Sequence, residues 1–335
     1  MKTLLFASVT LILMSVSANA QWLKQRVNTS SGFRGLSVVD KNVVWASGTG
    51  GTVIRTVDAG KSWSVIQVPD AERLDFRDIE AFDRDTAYVL SIGNGDSSRI
   101  YKTTDGGKTW QLKFRNTNEK AFFDAIACWD KNNCIAMSDP VDGRYLLIET
   151  SDGETWKPLV PKQMPAAKDG EAAFAASGTC LIAQGRSTVY LVSGGTDARV
   201  FRSTDRGQTW TASQAPLIKG TAGSGIFSIA MLNTKKGVIV GGNYEKPNET
   251  ASNFAFTNDG GASWISHAGL NGYRSGVTYA GESMIIAVGT SGTDVSYDGG
   301  TTWKNVGSED LNAVQAKGRS VIWAVGPRGM IARWK

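Results

Sequence analysis

The chain has 335 residues, of which 41% are hydrophobic and 20% charged, and its formal net charge is +5. This is the composition of a globular protein and excludes a disordered chain. His267 is the only histidine and the three cysteines lack paired short spacings, which excludes zinc sites built from several histidines or four thiolates. No long Lys/Arg run is present, which argues against nucleic acid as a partner.

Residues 1–20 have the pattern of a secretory signal peptide. Lys2 supplies the positive start, residues 4–16 are apolar, and Ala18-Asn19-Ala20 is a small-residue cleavage signal. The apolar run is too short for stable membrane insertion, which needs about 20 residues. We therefore expect cleavage after Ala20 and a periplasmic or secreted mature protein.

One short pattern, Ser/Thr-x-Asp-x-Gly-x-x-Trp, recurs along the mature chain. Each copy lies between two short segments of alternating hydrophobicity, which predicts a hairpin turn. Aspartate can accept backbone N–H bonds within such a turn, and glycine permits a positive φ, so we expect the pattern to be structural. The six copies, the third one residue short, end at Trp63, Trp110, Trp156, Trp210, Trp264 and Trp303.

These copies resemble the Asp-box, or BNR, repeat, whose turns lie between the third and fourth strands of β-propeller blades. The mature chain also resembles the photosystem II stability and assembly factor-like branch of BNR propellers, whose bacterial members are loosely labelled oxidoreductases or glycosyl hydrolases. The segments SDPVDGRYLLIETSDGETW, EAAFAASGTCLIAQG, ARVFRSTDRGQTW and GIFSIAM carry this resemblance. It implies an exported, cofactor-free, seven-bladed scaffold. Oxidoreductase chemistry finds no support, because the sequence has neither a dinucleotide-binding glycine pattern nor a haem ligand set.

The predicted fold is an all-β, seven-bladed propeller in a single domain, residues 21–335. Seven inner strands are predicted against six boxes, and pairing the N-terminal strand around Trp22 with the last segment closes the ring and removes two exposed strand edges. The inner strands are expected to open at Phe33, Phe76, Phe123, Glu171, Ile226, Tyr273 and Leu311. The predicted blades are 33–69, 75–115, 122–161, 170–214, 224–268, 273–307, and 310–335 with 21–27.

If the protein is exported, its cysteines lie in a compartment where disulfides can form. Cys128 and Cys134 flank a five-residue turn between two apolar segments, so they can face each other across a hairpin and form a disulfide in an oxidising compartment. The alternative is two small buried thiols. Cys180 is expected to be a buried thiol and not a nucleophile.

Candidate site residues lie where the inner strands begin, on the face opposite the boxes. Guanidinium groups bind carboxylates through a planar donor fork, so arginines gathered at a channel mouth predict recognition of a polar or anionic group. The alternative is that arginines and acids of adjacent blades pair with each other and hold the ring together. The predicted ligand-binding residues are Arg34, Arg77, Asp124, Asp139, Glu171, Tyr244 and Arg274.

Two functions are compatible with these residues. The first is a monomeric binding or assembly-factor-like scaffold that holds a polypeptide or glycan in its central funnel. The second is a sialidase-like glycoside hydrolase or lyase acting on an acidic glycan. Arg34-Gly35-Leu36 departs from the Arg-Ile-Pro opening of sialidases, which counts against the second. Its candidate catalytic residues are Glu171, Asp139 and Asp142 as acid and base, and Tyr273 or Tyr244 as nucleophile.

Overall fold

The computed structural model describes residues 21–267 and 269–335, so the predicted signal peptide lies outside the described residues. Seven antiparallel sheets form the blades, six with four strands and one with six, and the predicted all-β, seven-bladed propeller is confirmed. Within the described residues, no helix has the length and apolar character needed to span a bilayer.

The first strand, β1, comprises Trp22–Lys24. Blade 1 contains β2 (Phe33–Val38), β3 (Val44–Gly48), β4 (Thr52–Thr56) and β5 (Ser64–Gln67). Blade 2 contains β6 (Phe76–Ala81), β7 (Ala87–Ser91), β8 (Arg99–Thr103) and β9 (Gln111–Arg115), with a short 3-10 helix at Gly95–Ser97. Blade 3 contains β10 (Phe123–Asp130), β11 (Asn133–Val141), β12 (Arg144–Thr150) and β13 (Lys157–Leu159).

The fourth blade and its neighbour share two additional short strands, β14 (Glu171–Ala172) and β17 (Gly194–Gly195), which extend the sheet of blade 5. Blade 4 itself contains β15 (Leu181–Gln184), β16 (Thr188–Val192), β18 (Arg199–Ser203) and β19 (Thr211–Gln214). Blade 5 contains β20 (Ser224–Met231), β21 (Gly237–Asn243), β22 (Phe254–Thr257) and β23 (Ile265–Ser266).

Blade 6 contains β24 (Gly276–Tyr279), β25 (Ile285–Gly289), β26 (Gly292–Ser296) and β27 (Lys304–Gly307). Blade 7 contains β28 (Ala313–Ala316), β29 (Ile322–Val325) and β30 (Ile331–Trp334), and β1 is its outermost strand. Trp22 lies opposite Trp334 in the β1–β30 register, and the two indoles meet edge to face with centroids 4.9 Å apart. The predicted closure by the two chain ends is confirmed.

Burial changes systematically across each blade. The second strands are buried on both faces, as in Val44–Gly48 and Ala87–Ser91, because neighbouring blades cover both sides. The outermost strands, such as Ser64–Gln67, are largely exposed. The apolar cores therefore lie between neighbouring blades. Each core buries apolar side chains from two sheets.

The Asp-box turns have a common hydrogen-bond pattern. In the first, Asp58 accepts bonds from the backbone N–H of Ser62 at 2.9 Å, the Ser62 hydroxyl at 2.6 Å and the Thr56 hydroxyl at 2.8 Å. These bonds lower the pKa of Asp58 to about 2. Gly60 has a φ of +84°, which glycine adopts without strain, and packs against Trp323 of blade 7. The box thus connects its hairpin to the preceding blade.

The fourth blade differs from the prediction. Its inner strand is Leu181–Gln184, about ten residues later than the predicted start at Glu171. Glu171 and Ala172 instead pair with Gly195 and Gly194, beside the inner strand of blade 5. Residues 173–180 are inserted between this short strand and the inner strand of blade 4.

Candidate functional site at the channel mouth

A segment inserted before the inner strand of blade 4, residues 173–179, lies across the channel mouth, and we call it the plug segment. Arg34 of blade 1 donates a hydrogen bond from Nη1 to the carbonyl oxygen of Ala176 at 3.0 Å. Arg77 of blade 2 donates from Nη1 to the carbonyl oxygen of Ala175 at 3.3 Å. Two predicted site arginines therefore hold the backbone of a segment from a distant blade.

The opposite side of the ring holds the same segment. The hydroxyl of Ser177 donates to the carbonyl oxygen of Ser275 in the loop leading into blade 6, at 2.7 Å. The ring of Phe174 stacks on Phe227 of blade 5 with centroids 3.8 Å apart. A segment that touches blades 1, 2, 5 and 6 can only lie in the centre of the ring. The plug segment therefore narrows this mouth of the channel.

Beside the plug segment is a cavity of about 430 Å³. The inner strands begin at this mouth, whereas the boxes follow the third strands, and in an antiparallel sheet those two ends lie on opposite faces. The structure thus brings together six of the predicted residues. They are Arg34, Arg77, Asp124, Asp139, Tyr244 and Tyr273.

The two arginines differ in their electrostatic partners. Arg77 forms an ion pair with Asp75, whose Oδ2 lies 2.8 Å from its Nε. Arg34 has no carboxylate within ion-pair distance among the described residues. Burial and the neighbouring Arg77 cation lower the pKa of Arg34. An incompletely neutralised guanidinium in a partly enclosed cavity attracts an anionic group.

Two carboxyl groups line the same cavity. Asp139 accepts a hydrogen bond at 2.7 Å from the backbone N–H of Ala173, and burial raises its pKa to about 6. Asp124 is only 1% exposed, and its Oδ2 has no hydrogen-bond partner. Burial and the charge of Asp139 raise the pKa of Asp124 well above its usual range. This pair can hold a proton near neutral pH.

Further acids lie deeper in the channel. Asp78, on the inner strand of blade 2, accepts bonds at 2.8 Å from the backbone N–H groups of Ile79 and Ile126. Burial raises its pKa to about 7. Burial and the charge of Asp78 raise the pKa of Glu80 well above its usual range, and burial also raises that of the Cys180 thiol. Cys180 is fully buried and has the surroundings of an inert thiol.

The tyrosines have different environments. Tyr273 is buried, packs edge to face on Phe227 at 4.7 Å, and has its pKa raised by burial. Tyr244 is 49% exposed and lies at the rim. A hydroxyl whose pKa is raised is a poor nucleophile near neutral pH, so this geometry disfavours the predicted nucleophilic role of Tyr273.

Arg274 is not gathered at the mouth, contrary to the sequence expectation. It is fully buried and forms an ion pair with Asp294 of the third strand of blade 6, with Nη2 and Oδ2 2.7 Å apart. Its guanidinium also donates to the carbonyl oxygen of Asn271 and the hydroxyl of Ser291. Arg274 therefore fixes the connection between blades 5 and 6, as the alternative of internal pairing predicts.

Glu171 is also paired within the protein. Its carboxylate is completely buried and forms an ion pair with Arg199, and it accepts a 2.5 Å bond from the hydroxyl of Ser193. The sequence prediction placed Glu171 on the inner strand of blade 4, but it lies on the two-residue strand β14, outside that inner strand. A carboxylate held in this way is unavailable as an acid or base for a substrate.

Asp142 lies outside the site as well. It occupies the tip of the β11–β12 hairpin with a φ of +50°, is highly exposed, and contacts Lys120 at 3.4 Å. This hairpin joins the second and third strands of blade 3. Its tip is therefore further from the channel axis than the inner strand is.

The structure joins Cys128 and Cys134 by a disulfide across the first hairpin of blade 3. Sequence reasoning missed the plug segment itself. Its signal was the run of small residues in AAFAASG, which lacks the alternation of a strand and includes Gly178 with a φ of +76°.

The fold and the box geometry define the class: this chain is a seven-bladed β-propeller that contains BNR/Asp-box repeats. The BNR/Asp-box repeat family matches residues 101–112 and 201–212. No curated protein matches the chain.

Several solved structures share this fold. YCF48 bound to D1 peptide superposes with a TM-score of 0.68 at 14% identity, covering 96% of this chain and 99% of that one. YCF48 from Cyanidioschyzon merolae gives 0.64 at 18% identity, covering 94% and 98%. The Niastella koreensis GH74 enzyme gives 0.64 at 15% identity, covering 93% of this chain but 53% of the enzyme. At these identities the likeness establishes the fold alone.

Proposed function

We propose that this chain is an exported scaffold that binds a polypeptide at the channel mouth, through an acidic group of the partner. The observation that carries the proposal is Arg34, a cation beside Arg77 in the mouth cavity with no carboxylate partner among the described residues. The similar fold of YCF48 bound to D1 peptide supports a polypeptide as the ligand.

The mouth already binds the backbone of the plug segment, which supports a polypeptide as the ligand. Arg34 and Arg77 donate to consecutive carbonyl oxygens of the plug segment, Ala176 and Ala175. A guanidinium has five N–H donors, so each arginine retains further donors for a second chain lying on the plug. The stacked rings of Phe174 and Phe227, with Tyr244 at the rim, provide apolar surface beside those donors.

The test compares Arg34→Gln and Arg77→Gln with Arg73→Gln, an exposed arginine outside the cavity. Glutamine retains a donor for the plug carbonyl but removes the charge. Calorimetric titration with synthetic acidic peptides should show roughly tenfold or greater weakening for each site variant, since a hydrogen bond to a charged group contributes about 1.5–3 kcal/mol. Equal affinities in all three variants would refute the proposal.

Export belongs to the same proposal. N-terminal sequencing of the protein recovered outside the cytoplasm should begin at Gln21. An intact Met1 on the recovered protein would contradict cleavage.

The carboxyl pair favours a second candidate, a glycoside hydrolase or lyase. Asp139 and Asp124 share the cavity, and their raised pKa values suit proton donation. The fold similarity to a GH74 enzyme adds only that a β-propeller can support an enzyme's active site. Asp139→Asn should abolish release of reducing sugar or unsaturated product from an acidic polysaccharide, whereas Asp142→Asn, at the exposed hairpin tip, should not. Absence of release by the unaltered protein across a broad glycan panel rejects this candidate.

A further inference from the structure

A second surface, away from the channel, lies at the outer edge of blade 3. The outermost strand, Lys157–Leu159, pairs only with Leu147–Glu149 of β12. The first part of β12, Arg144–Leu146, has no outer strand partner within the described residues. A sheet edge without a partner presents backbone donors and acceptors that can pair with another extended chain.

The edge is open because the chain leaves blade 3 early. After Leu159 it crosses to the box turn of blade 4, where Gln163 bridges Thr209 in a parallel orientation. It returns to blade 3 only at the hairpin tip, where the N–H of Ala167 donates to the carbonyl oxygen of Gly143 at 2.9 Å. A groove remains between this detour and the β12 edge.

The groove has a volume of about 720 Å³ and a mainly apolar lining. Its walls come from β12, from the end of blade 2 and from the detour, which contains two of the chain's eight prolines. Proline has no backbone N–H, so this wall offers few donors to compete for the β12 edge. The apolar wall residues include Phe114, Leu146, Leu147, Val160 and Met164.

The charges at the groove select the partner. Its charged lining residues are Arg144 and Lys162, with no acidic residue among them. Neither cation forms an ion pair within the described part of the chain. An extended segment with alternating apolar side chains and a flanking carboxylate would therefore complement both the backbone edge and the charge.

We propose that a partner polypeptide of this kind adds a strand to Arg144–Leu146. This surface is separate from the channel mouth, and neither Arg34 nor Arg77 contributes to it. The inference does not depend on the function proposed for the mouth.

The probe is a short synthetic peptide of alternating valine and threonine that ends in two glutamates. Hydrogen exchange with the full mature protein should show slower exchange of the amides of Arg144–Leu146 when the peptide is added. Arg144→Glu should weaken binding about fivefold or more, because an ion pair is replaced by repulsion. Lys131→Glu, an exposed site outside the groove, changes the net charge equally and should leave affinity unchanged.

Three outcomes would overturn the proposal. The first is unchanged exchange at Arg144–Leu146 at the highest soluble peptide concentration. The second is equal affinity for the Arg144→Glu and Lys131→Glu proteins, or for a peptide whose central valine is replaced by proline. The third is protection without peptide that disappears on dilution, which would assign the edge to a second copy of this chain. Arg34→Gln should leave the peptide-dependent protection of Arg144–Leu146 unchanged, because that residue lies outside the groove.

Discussion

The box turns and the channel mouth are built in opposite ways. In the box that ends at Trp63, nearly every bond joins residues within four positions of Asp58, and the pattern recurs from blade to blade. At the mouth, Arg34 and Ala176 are 142 positions apart in the chain. The repeated contacts stabilise the ring, whereas the unrepeated ones shape one binding surface. Changes in the ring should therefore alter stability, and changes at the mouth should alter recognition.

The ring closure should give the largest stability effect. Trp22 is buried, and its indole N–H donates to the hydroxyl of Thr293 in blade 6 at 2.9 Å. Trp22→Ala should lower the free energy of unfolding by about 3–5 kcal/mol, the cost of deleting a buried aromatic side chain. Denaturant unfolding measures this, with Leu23→Ala, whose side chain is 53% exposed, as the control. Equal losses in both variants would mean that the closure contributes little.

The sequence makes Glu171 a catalytic candidate, whereas the structure makes it a buried ion-pair partner. Glu171→Gln leaves the Arg199 cation buried without its charge partner, and should cost about 3 kcal/mol or more. Glu149→Gln removes the more exposed pair with Lys157 and should cost less than about 1 kcal/mol. Equal thermal midpoints for the two variants would contradict the structural role of Glu171.

Alanine substitutions at two box glycines distinguish the cost of backbone strain from the cost of overpacking. Gly60 and Gly299 have φ values of +84° and +77°, so alanine costs about 1–2 kcal/mol at either position. An added Cβ at Gly60 would lie 2.5 Å from the Trp323 ring, whereas at Gly299 no atom of the described residues, apart from the glycine and its two chain neighbours, would lie within 4 Å. Gly60→Ala should therefore lose a further 1–3 kcal/mol, roughly, from overpacking. Similar losses would show that the box does not fix the spacing of blades.

The two regions should also respond oppositely to pH. Below about pH 4, protonation of box carboxylates such as Asp58, whose folded pKa is about 2, should destabilise the protein. The channel acids have raised pKa values, about 7 for Asp78 and about 6 for Asp139, so the folded state binds protons that the unfolded state does not. Their contribution to stability rises as pH falls from about 7 towards 4.

Unfolding measured between about pH 3 and 8 should therefore give a stability maximum near pH 4–5. Asp78→Asn removes one titrating channel group and should flatten the slope on the neutral side of that maximum, leaving the acid side unchanged. A maximum above pH 7 would contradict the buried-acid description.

The fold could be predicted from sequence because its signals are local and repeated. The box around Asp58 needs only neighbouring residues, and a strand containing Trp22 at one end of the chain predicts a missing partner at the other. The site was predicted only in part. Arg34 and Asp124 follow the blade repeat, and the cavity contains them. Arg274 follows the blade repeat equally well, yet it is bound by Asp294 within blade 6 and does not reach the cavity.

The reason for the partial prediction lies in the plug insertion. Residues 173–179 have no repeat counterpart, so no pattern predicted that they would enter the channel or displace Glu171 from an inner-strand position. Side-chain partners across blades depend on three-dimensional distance, which a repeat pattern does not contain.

A structure of the protein with a bound acidic peptide tests the central claim most directly. If the mouth binds the partner, peptide density should lie over the plug segment, with a carboxylate within hydrogen-bond distance of Arg34 or Arg77. Density confined to the box face, with the mouth empty at saturating peptide, would contradict it.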